Sequence, residues 1–497
     1  MHLADLFIAL RRQLDQDPAE AERATTRLEA DRELAGGAAR HLARLIDECP
    51  SAGALEDWVA SSGDLPATER RILAAQAIDG WYAPLASSFL TPPDPSGARL
   101  RARRWFNRHG RFNSNDSDGQ VILRPGLFDR SMNIREVVPL RPFDVADLFQ
   151  TLLFLPPTLP AEHPHDQERE RTIAVGYRRV AGVADQCPGD PDWTPVVAVV
   201  PLALGEEDIA VRTRSHDGAD WYMAVPRDLG DRAAAAIDAL AEEGANIILF
   251  PEYAVDAATL DAIKAAVRRH AVDGPIRHVL VGARQERTPG LRPLSRAVLL
   301  DRLGNEILSQ TKLHCWDLDA DQCRSYDVRG PDGRLLDGAK EFIEPGDSIT
   351  IVELPDMGRL AVMVCEDLGR DQPAAWLGRA MMLDWIVTPV FDAGLTEERW
   401  QAQEGGESSR TGSCRVVVAN SMAMSHRFNR SCRAMGIEDK LIAGCGVALL
   451  FQPRVDPGQG CRIRLLSLDI DAPDPGYVLA RWEPRHWPEL NMEGSCP

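Results

Sequence analysis

Short apolar runs rich in β-branched residues recur through the second half of the chain. Val196–Pro201, Asn246–Phe250, His278–Gly282, Leu360–Val364, Trp385–Val390 and Arg415–Asn420 are such runs. Stretches with helical spacing lie between them, at 231–243, 260–270, 373–383 and 396–411. Strands this short and this continuously apolar are buried on both faces. Strands that alternate with helices build an α/β domain. Two hairpins interrupt the alternation. One joins 297–301 to 307–312 through Leu303-Gly304-Asn305, and the other joins 348–354 to 360–364 through Met357-Gly358. With these insertions the sheet is mixed, or divides into two sheets packed as a sandwich. Val447–Phe451 and Ile463–Leu468 supply the last strands.

The first third of the chain has a different texture. Leu3, Leu6, Phe7, Leu10 and Leu14 recur at helix spacing, and 19–34, 38–46 and 67–78 continue the pattern with a helix start near Thr68. A polar turn at 113–119 precedes a strand at Gln120–Leu123. Pro156 to Asp166 is proline-rich and polar, and reads as a linker. The expected organisation is a mostly helical N-terminal domain over 1–155, a linker over 156–170 and an α/β domain over 171–497. A chain of 497 residues is long enough for two or three domains.

The net charge of −19 argues against nucleic acid or an anionic membrane as a partner. A local run of arginines from Arg99 to Arg111, including Arg101, Arg103, Arg104 and Arg108, reads as a solvated face. No apolar run is long enough to span a bilayer, and the N-terminus has no signal-peptide pattern, so a cytoplasmic location is expected. The ten cysteines are scattered without a disulfide-scaffold spacing. His314, Cys315 and Cys323 come nearest to a metal cluster but lack the tight Cys pair of a structural zinc site. No metal and no cofactor is expected.

Functional groups in α/β sheets gather outside the carboxyl ends of strands. Three such ends here carry reactive residue types. Glu252 lies in Pro251-Glu252-Tyr253, Lys312 closes Ile307–Lys312, and Cys365 follows Leu360–Val364 and precedes Glu366 and Asp367. Taken singly, Cys365 reads as a small core residue, and Glu252 and Lys312 as residues where strands surface. Brought together, they form an acyl-transfer set. The thiol attacks, the carboxylate moves its proton, and the ammonium supports the developing oxyanion.

The order Pro-Glu-Tyr, Thr-Lys-Leu, Val-Cys-Glu-Asp resembles the nitrilase, or carbon–nitrogen hydrolase, superfamily over roughly residues 195–485. Smaller segments agree with it: 341–347 before the nucleophile hairpin, Gly358-Arg-Leu-Ala-Val, Trp385-Ile-Val-Thr-Pro389, Trp400, Ser409-Arg410-Thr411 and Val416–Ser421. The resemblance implies a four-layer αββα sandwich behind the helical N-terminal domain, and a Glu252–Lys312–Cys365 triad. It makes Cys365 the nucleophile, Glu252 the general base and Lys312 the stabiliser of the tetrahedral intermediate, together with the backbone N–H of Glu366. Glu341 is the candidate for a second active-site glutamate, with Ala339 the alternative position. Tyr253, Phe391 and Asp392 are candidate pocket residues, and Asp367 a structural one. The implied activity is hydrolysis of a small amide, carbamoyl compound or nitrile, and the implied assembly a homodimer or larger homo-oligomer.

Cys-Glu-Asp also resembles the glutaminase domain of glutamine-dependent NAD synthetases, but no Ser-Gly-Gly loop of an ATP-pyrophosphatase accompanies it. A glutaminase or acyltransferase serving a partner chain is therefore one alternative. A ligand-sensing or scaffolding module that keeps the fold is another. The loop 313–340, with Trp316-Asp-Leu-Asp-Ala-Asp321, is unusual and conceals the substrate. The N-terminal region matches nothing nameable. The tail 481–497, with Trp482, Trp487 and Pro488, either packs on its own domain or crosses a subunit interface.

Overall fold

The computed structural model describes residues 2–48, 52–61, 65–87, 101–102, 105–106, 108–109, 111–115, 117–124, 144–161, 171–180, 195–216, 218–412, 414–453, 461–471 and 476–482. Two large sheets dominate it. A six-stranded sheet has the order β11-β10-β9-β8-β5-β20 and an eight-stranded sheet the order β19-β18-β17-β16-β15-β14-β4-β3. In the first, β5 is Val196–Val199, β8 Ile247–Val255, β9 His278–Gln285, β10 Leu294–Asp301, β11 Glu306–Thr311 and β20 Val478–Arg481. In the second, β3 is Thr158–Pro160, β4 Thr172–Arg179, β14 Ser348–Leu354, β15 Gly358–Val362, β16 Trp385–Val390, β17 Arg415–Asn420, β18 Gly444–Pro453 and β19 Cys461–Asp469.

Alternation along the strands explains the layering. Ala198, Ile248, Phe250, Val279 and Val281 pack against Ala236, Ile237, Leu240 and Ile263 of the helices Gly230–Glu242 and Ala257–Arg269. Their strand neighbours Val197, Val199, Ile247, Leu249 and Leu280 point the other way, into a core shared with Ile351, Leu360, Ile386 and Val418 of the eight-stranded sheet. Side chains on a strand point alternately to opposite faces, so a run apolar at every position must be covered twice. The helix Trp400–Gly412 covers the far face of the eight-stranded sheet, where Phe451 lies against Gly405; a Cβ there would come within 2.7 Å of the ring. The result is the expected helix–sheet–sheet–helix sandwich.

Both hairpins form. Gly304 and Gly358 take positive φ, +70° and +80°, at their turns, and a Cβ on Gly358 would collide with the Asp384 carboxylate. The sequence reading needs correction elsewhere. The stretch 373–383 is not one helix: a 3-10 turn at Cys365–Gly369 and a π turn at Asp371–Ala375 precede a short helix, Trp376–Ala380. Part of the expected linker is a strand. Thr158–Pro160 pairs with β4 at the edge of the larger sheet, where a proline without an N–H is tolerated; residues 162–170 lie outside the described residues. A small four-stranded sheet, order β12-β13-β7-β6, was not anticipated; its strands are β6 Ile209–His216, β7 Ala219–Pro226, β12 Leu318–Asp319 and β13 Gly338–Glu341. Trp482 is buried edge-on against Trp385, so the start of the tail packs on its own chain. Trp487 and Pro488 lie outside the described residues, as do Arg103 and Arg104 of the arginine run, of which Arg101 and Arg108 are exposed.

The N-terminal region contains helices α1 Leu3–Asp15, α2 Pro18–Ala30, α3 Arg32–Glu48, α4 Ala52–Ala60 and α5 Ala67–Ser87, and a hairpin of β1 Gln120–Leu123 with β2 Leu152–Leu155. Its apolar core is continuous with that of the eight-stranded sheet. Asp79, buried on α5, accepts hydrogen bonds from the N–H groups of Gln150, Thr151 and Leu152, the closest at 2.6 Å. Truncating it strands buried backbone donors, each a substantial cost. Asp79→Ala should therefore destabilise the protein by about 2–4 kcal/mol. Thermal or urea unfolding checks this, with Asp79→Asn expected to recover part of the loss.

Candidate active site

A large bulge in β8 places Glu252. Phe250 pairs with Val281 and the next pair is Val255 with Ala283, so residues 251–254 oppose Gly282 alone. The surplus residues arch off the sheet, and Tyr253 takes φ +57°. Gly282 lets the arch pass, because a Cβ there would come within 2.0 Å of the Pro251 carbonyl. Glu252 thus lies inside the strand ladder rather than just past its end. Lys312 follows β11 directly; its N–H donates to the Ser295 carbonyl and its own carbonyl accepts from Gly346. Glu341 ends β13, which pairs in parallel with β7.

These three side chains meet. Lys312 Nζ is 3.1 Å from Glu252 Oε1 and 3.0 Å from Glu341 Oε2. Ser295 Oγ donates to Glu252 Oε1 at 2.8 Å, the Tyr253 hydroxyl to Glu341 Oε1 at 2.6 Å, and the Trp316 N–H to Glu341 Oε2 at 2.7 Å. Lys312, Glu252 and Glu341 are each about 1% exposed. Ion pairs this deep persist only when their remaining hydrogen bonds are made, as they are here. Of the two positions open for a second glutamate, Glu341 joins the cluster; Ala339, one alternate residue earlier on β13, packs with Tyr222 and Leu318 in a neighbouring apolar group.

Cys365 lies at the head of the 3-10 turn that follows β15, buried and with φ +51°. A non-glycine residue in this region is strained, and such strain gathers at functional sites. Asp367 fastens the turn. Its carboxylate accepts from the N–H groups of Leu313 and His314 at 3.0 and 2.9 Å and from His314 Nδ1 at 3.0 Å. The nucleophile turn and the lysine loop are thereby tied directly together. Glu366 turns its carboxylate to Arg370. The residues His314, Cys315 and Cys323 do not gather: His314 is engaged by Asp367, and no metal-binding group of His, Cys, Asp or Glu occurs among the described residues.

Glu252, Lys312, Glu341 and Cys365 line one small cavity of about 30 Å³. Tyr253, Phe391 and Asp392 line it too, as do Tyr222, Trp316 and Trp400, which sequence reasoning missed. Trp316 and Trp400 stack at 5.7 Å. Trp400 was noted only as a family-like residue, and Tyr222 belongs to the unanticipated small sheet. Ser295 carried no sequence signal beyond a small polar residue at an inward strand position.

Burial sets the protonation behaviour. It pushes the Glu252 carboxyl up to about 7, partly offset by Lys312. It pushes the Cys365 thiol well above its usual range, against the pull of Lys312, with Glu252 and Glu341 adding to the rise. Lys312 itself is held well above its ordinary value: burial lowers it, but the flanking carboxylates of Glu252 and Glu341 outweigh that. The resting set is a neutral thiol, a firm ammonium and a carboxyl poised near neutrality, the condition general acid–base work requires.

No family model matches this sequence, and no curated protein matches it. Among solved structures, the chain is similar to an amidase from Nesterenkonia sp. at 16% identity, over 59% of this chain and 91% of that one, with a TM-score of 0.35. A variant of that amidase in complex with butyramide aligns at 16% identity over 58% and 91%, with a TM-score of 0.34. The C. elegans NitFhit protein aligns at 17% identity over 46% of this chain and 51% of that one, with a TM-score of 0.32. Among the described residues no helix is long and apolar enough to cross a membrane.

The raised Glu252 carboxyl has a thermodynamic signature. The folded state keeps its proton between about pH 4.5 and the folded value of about 7, where the unfolded chain has lost it. Stability from this group is therefore fully present below about pH 4.5 and falls as pH rises through 7. Relative to Glu252→Gln, the wild type should lose about 3 kcal/mol between pH 4.5 and 8, read as the pH dependence of the stability difference in urea. A pH-independent difference would overturn the assignment.

Proposed function

We propose that this protein is a cysteine-dependent hydrolase of non-peptide carbon–nitrogen bonds, of nitrilase type, acting as an amidase. The observation that carries the reading is one buried cavity that joins a strained strand-end cysteine to a lysine clamped between two glutamates.

In this reading, Cys365 Sγ attacks the acyl carbon while Glu252 takes the thiol proton. Lys312 Nζ and the N–H of Glu366 support the oxyanion of the tetrahedral intermediate. Glu252 returns the proton to the nitrogen, which leaves as ammonia, and an acyl-thioester remains on Cys365. Glu252 then takes a proton from the incoming water, whose oxygen attacks the thioester. Collapse gives the carboxylic acid and restores the thiol. Glu341 keeps Lys312 in place and charged, and its own two oxygens are held by Tyr253 and Trp316. Burial favours the protonated thiol, so Glu252 is needed to take the proton as Cys365 attacks. The cysteine is thus spared from adventitious electrophiles until a substrate is aligned.

Ammonia release from a panel of primary amides tests this. Cys365→Ala and Glu252→Gln should each lower kcat/KM by at least about 1000-fold while the fold is kept. Amide hydrolysis that survives Cys365→Ala would sink the reading. The acid limb of kcat/KM should fall near pH 7, since Glu252 must be ionised to act. Ser295→Ala removes a hydrogen bond that favours the carboxylate, so it should move that limb to higher pH.

A further inference from the structure

The walls of the cavity beyond the reacting groups show what sort of acyl chain it accepts. They are aliphatic or aromatic: Val211, Leu318, Val328, Met424, Phe391 and Tyr222 are among them. Among the described lining residues Lys312 is the single cation, and it is taken by Glu252 and Glu341. Asp392 is the single anion outside that cluster, and it is spent as well. Its Oδ1 accepts from the Tyr326 hydroxyl at 2.7 Å, from Arg399 Nη2 at 3.1 Å and from the Ala393 N–H at 2.7 Å. Its Oδ2 accepts from Gln401 Nε2 at 2.7 Å. Arg399 is anchored from below, donating to the carbonyls of Ala393 and Gly394. The carboxylate is thus met from behind by a fixed guanidinium.

Given the hydrolase reading above, we propose that the site is selective for neutral, short, apolar acyl groups, and that Arg399 enforces this by cancelling the charge of Asp392. A substrate carboxylate entering the cavity finds no free cation, and a substrate ammonium finds no free anion. Either would be buried unpaired, at heavy cost. Glutamine, which carries both charges, is disfavoured twice, so the neutral wall also argues against the glutaminase alternative. With Arg399 removed, Asp392 keeps its three uncharged donors but loses its counter-charge, and the pocket should turn toward ammonium-bearing amides.

The test compares amides on the full chain: isobutyramide, the anion succinamate, the cation β-alaninamide, which matches isobutyramide in size, and the larger L-glutamine. Ammonia release should show kcat/KM for isobutyramide at least roughly 100-fold above each of the charged compounds. Binding to the Cys365→Ala variant, read by calorimetry, should follow the same order. Equal or better use of succinamate, β-alaninamide or glutamine overturns the proposal. Arg399→Met should raise the ratio of β-alaninamide to isobutyramide at least about tenfold, and adding Asp392→Asn should abolish that gain. If Arg399→Met does not fold, Asp392→Asn alone, which leaves the Arg399 charge uncancelled, should instead raise the ratio of succinamate to isobutyramide at least about tenfold, and an unchanged ratio overturns the proposal. The two readings fail separately. Absence of turnover with the binding order preserved refutes the hydrolase and keeps the neutral pocket; turnover with the order reversed does the opposite.

Discussion

A buried ammonium between two buried carboxylates is the constraint on which the site depends. Lys312 alone could not stay charged at 1% exposure, because desolvation favours the neutral amine. Glu252 and Glu341 reverse that preference, and each needs further donors in its turn. Ser295, Tyr253 and the Trp316 N–H are those donors. The requirement spreads outward from one ion to the β8 bulge, to β10 and to the start of the loop 313–340. Such an assembly is a poor way to gain stability, since an apolar replacement of similar shape often does as well or better. In the proposed reaction its value would lie in preorganisation, with the charges already in place.

The turn that carries Cys365 is held by a third carboxylate with a different task. Asp367 receives the N–H groups of Leu313 and His314 and the His314 ring nitrogen, so the residues after Lys312 and those after Cys365 are tied together. This explains how a left-handed φ at Cys365 is maintained: the turn is fixed from both sides, and local strain persists only where its surroundings over-determine it. The sequence Cys-Glu-Asp therefore divides its labour. Cys365 takes the strained position, the Glu366 side chain goes to Arg370, and Asp367 locks the frame.

What the sequence made legible follows from which signals are local. Buried strands write their own pattern, so β5, β8, β9, β16 and β17 could be placed from apolar runs, and the two hairpins from Gly304 and Gly358. Glu252, Lys312 and Cys365 stood out because each follows a local apolar run, although Glu252 lies inside β8 rather than at its end. Glu341 was not separable from Ala339 by counting; only the pairing of β13 with β7 brings it to Lys312. Strands β6 and β7 escaped notice because arginines, Ser215 and Asp220 dilute their alternation. The helix expected at 373–383 failed for a related reason: Asp371–Ala375 closes as a π turn and ends the regular ladder. The roles of Ser295, Arg399 and Gln401 are purely tertiary, and no spacing rule reaches them.

The N-terminal region bears on the same strand as the nucleophile. Arg359, the second residue of β15, is 1% exposed, and its guanidinium donates to the carbonyls of Leu123 and Arg124 beside the β1–β2 hairpin and of Met381. Its N–H donates to Asp384, and burial lowers its pKa, countered by Glu353 and Asp384. A fully buried arginine is costly unless its donors are satisfied; Nε is left without a partner, and two of the three carbonyls that take its Nη groups come from the N-terminal part of the chain. The strand that delivers Cys365 is therefore completed by residues more than two hundred positions upstream. With the apolar core running unbroken from α1 to β17, the helices and the sandwich share one packing problem. The placement of Cys365 at one end of β15 and N-terminal docking at the other are solved by the same short strand.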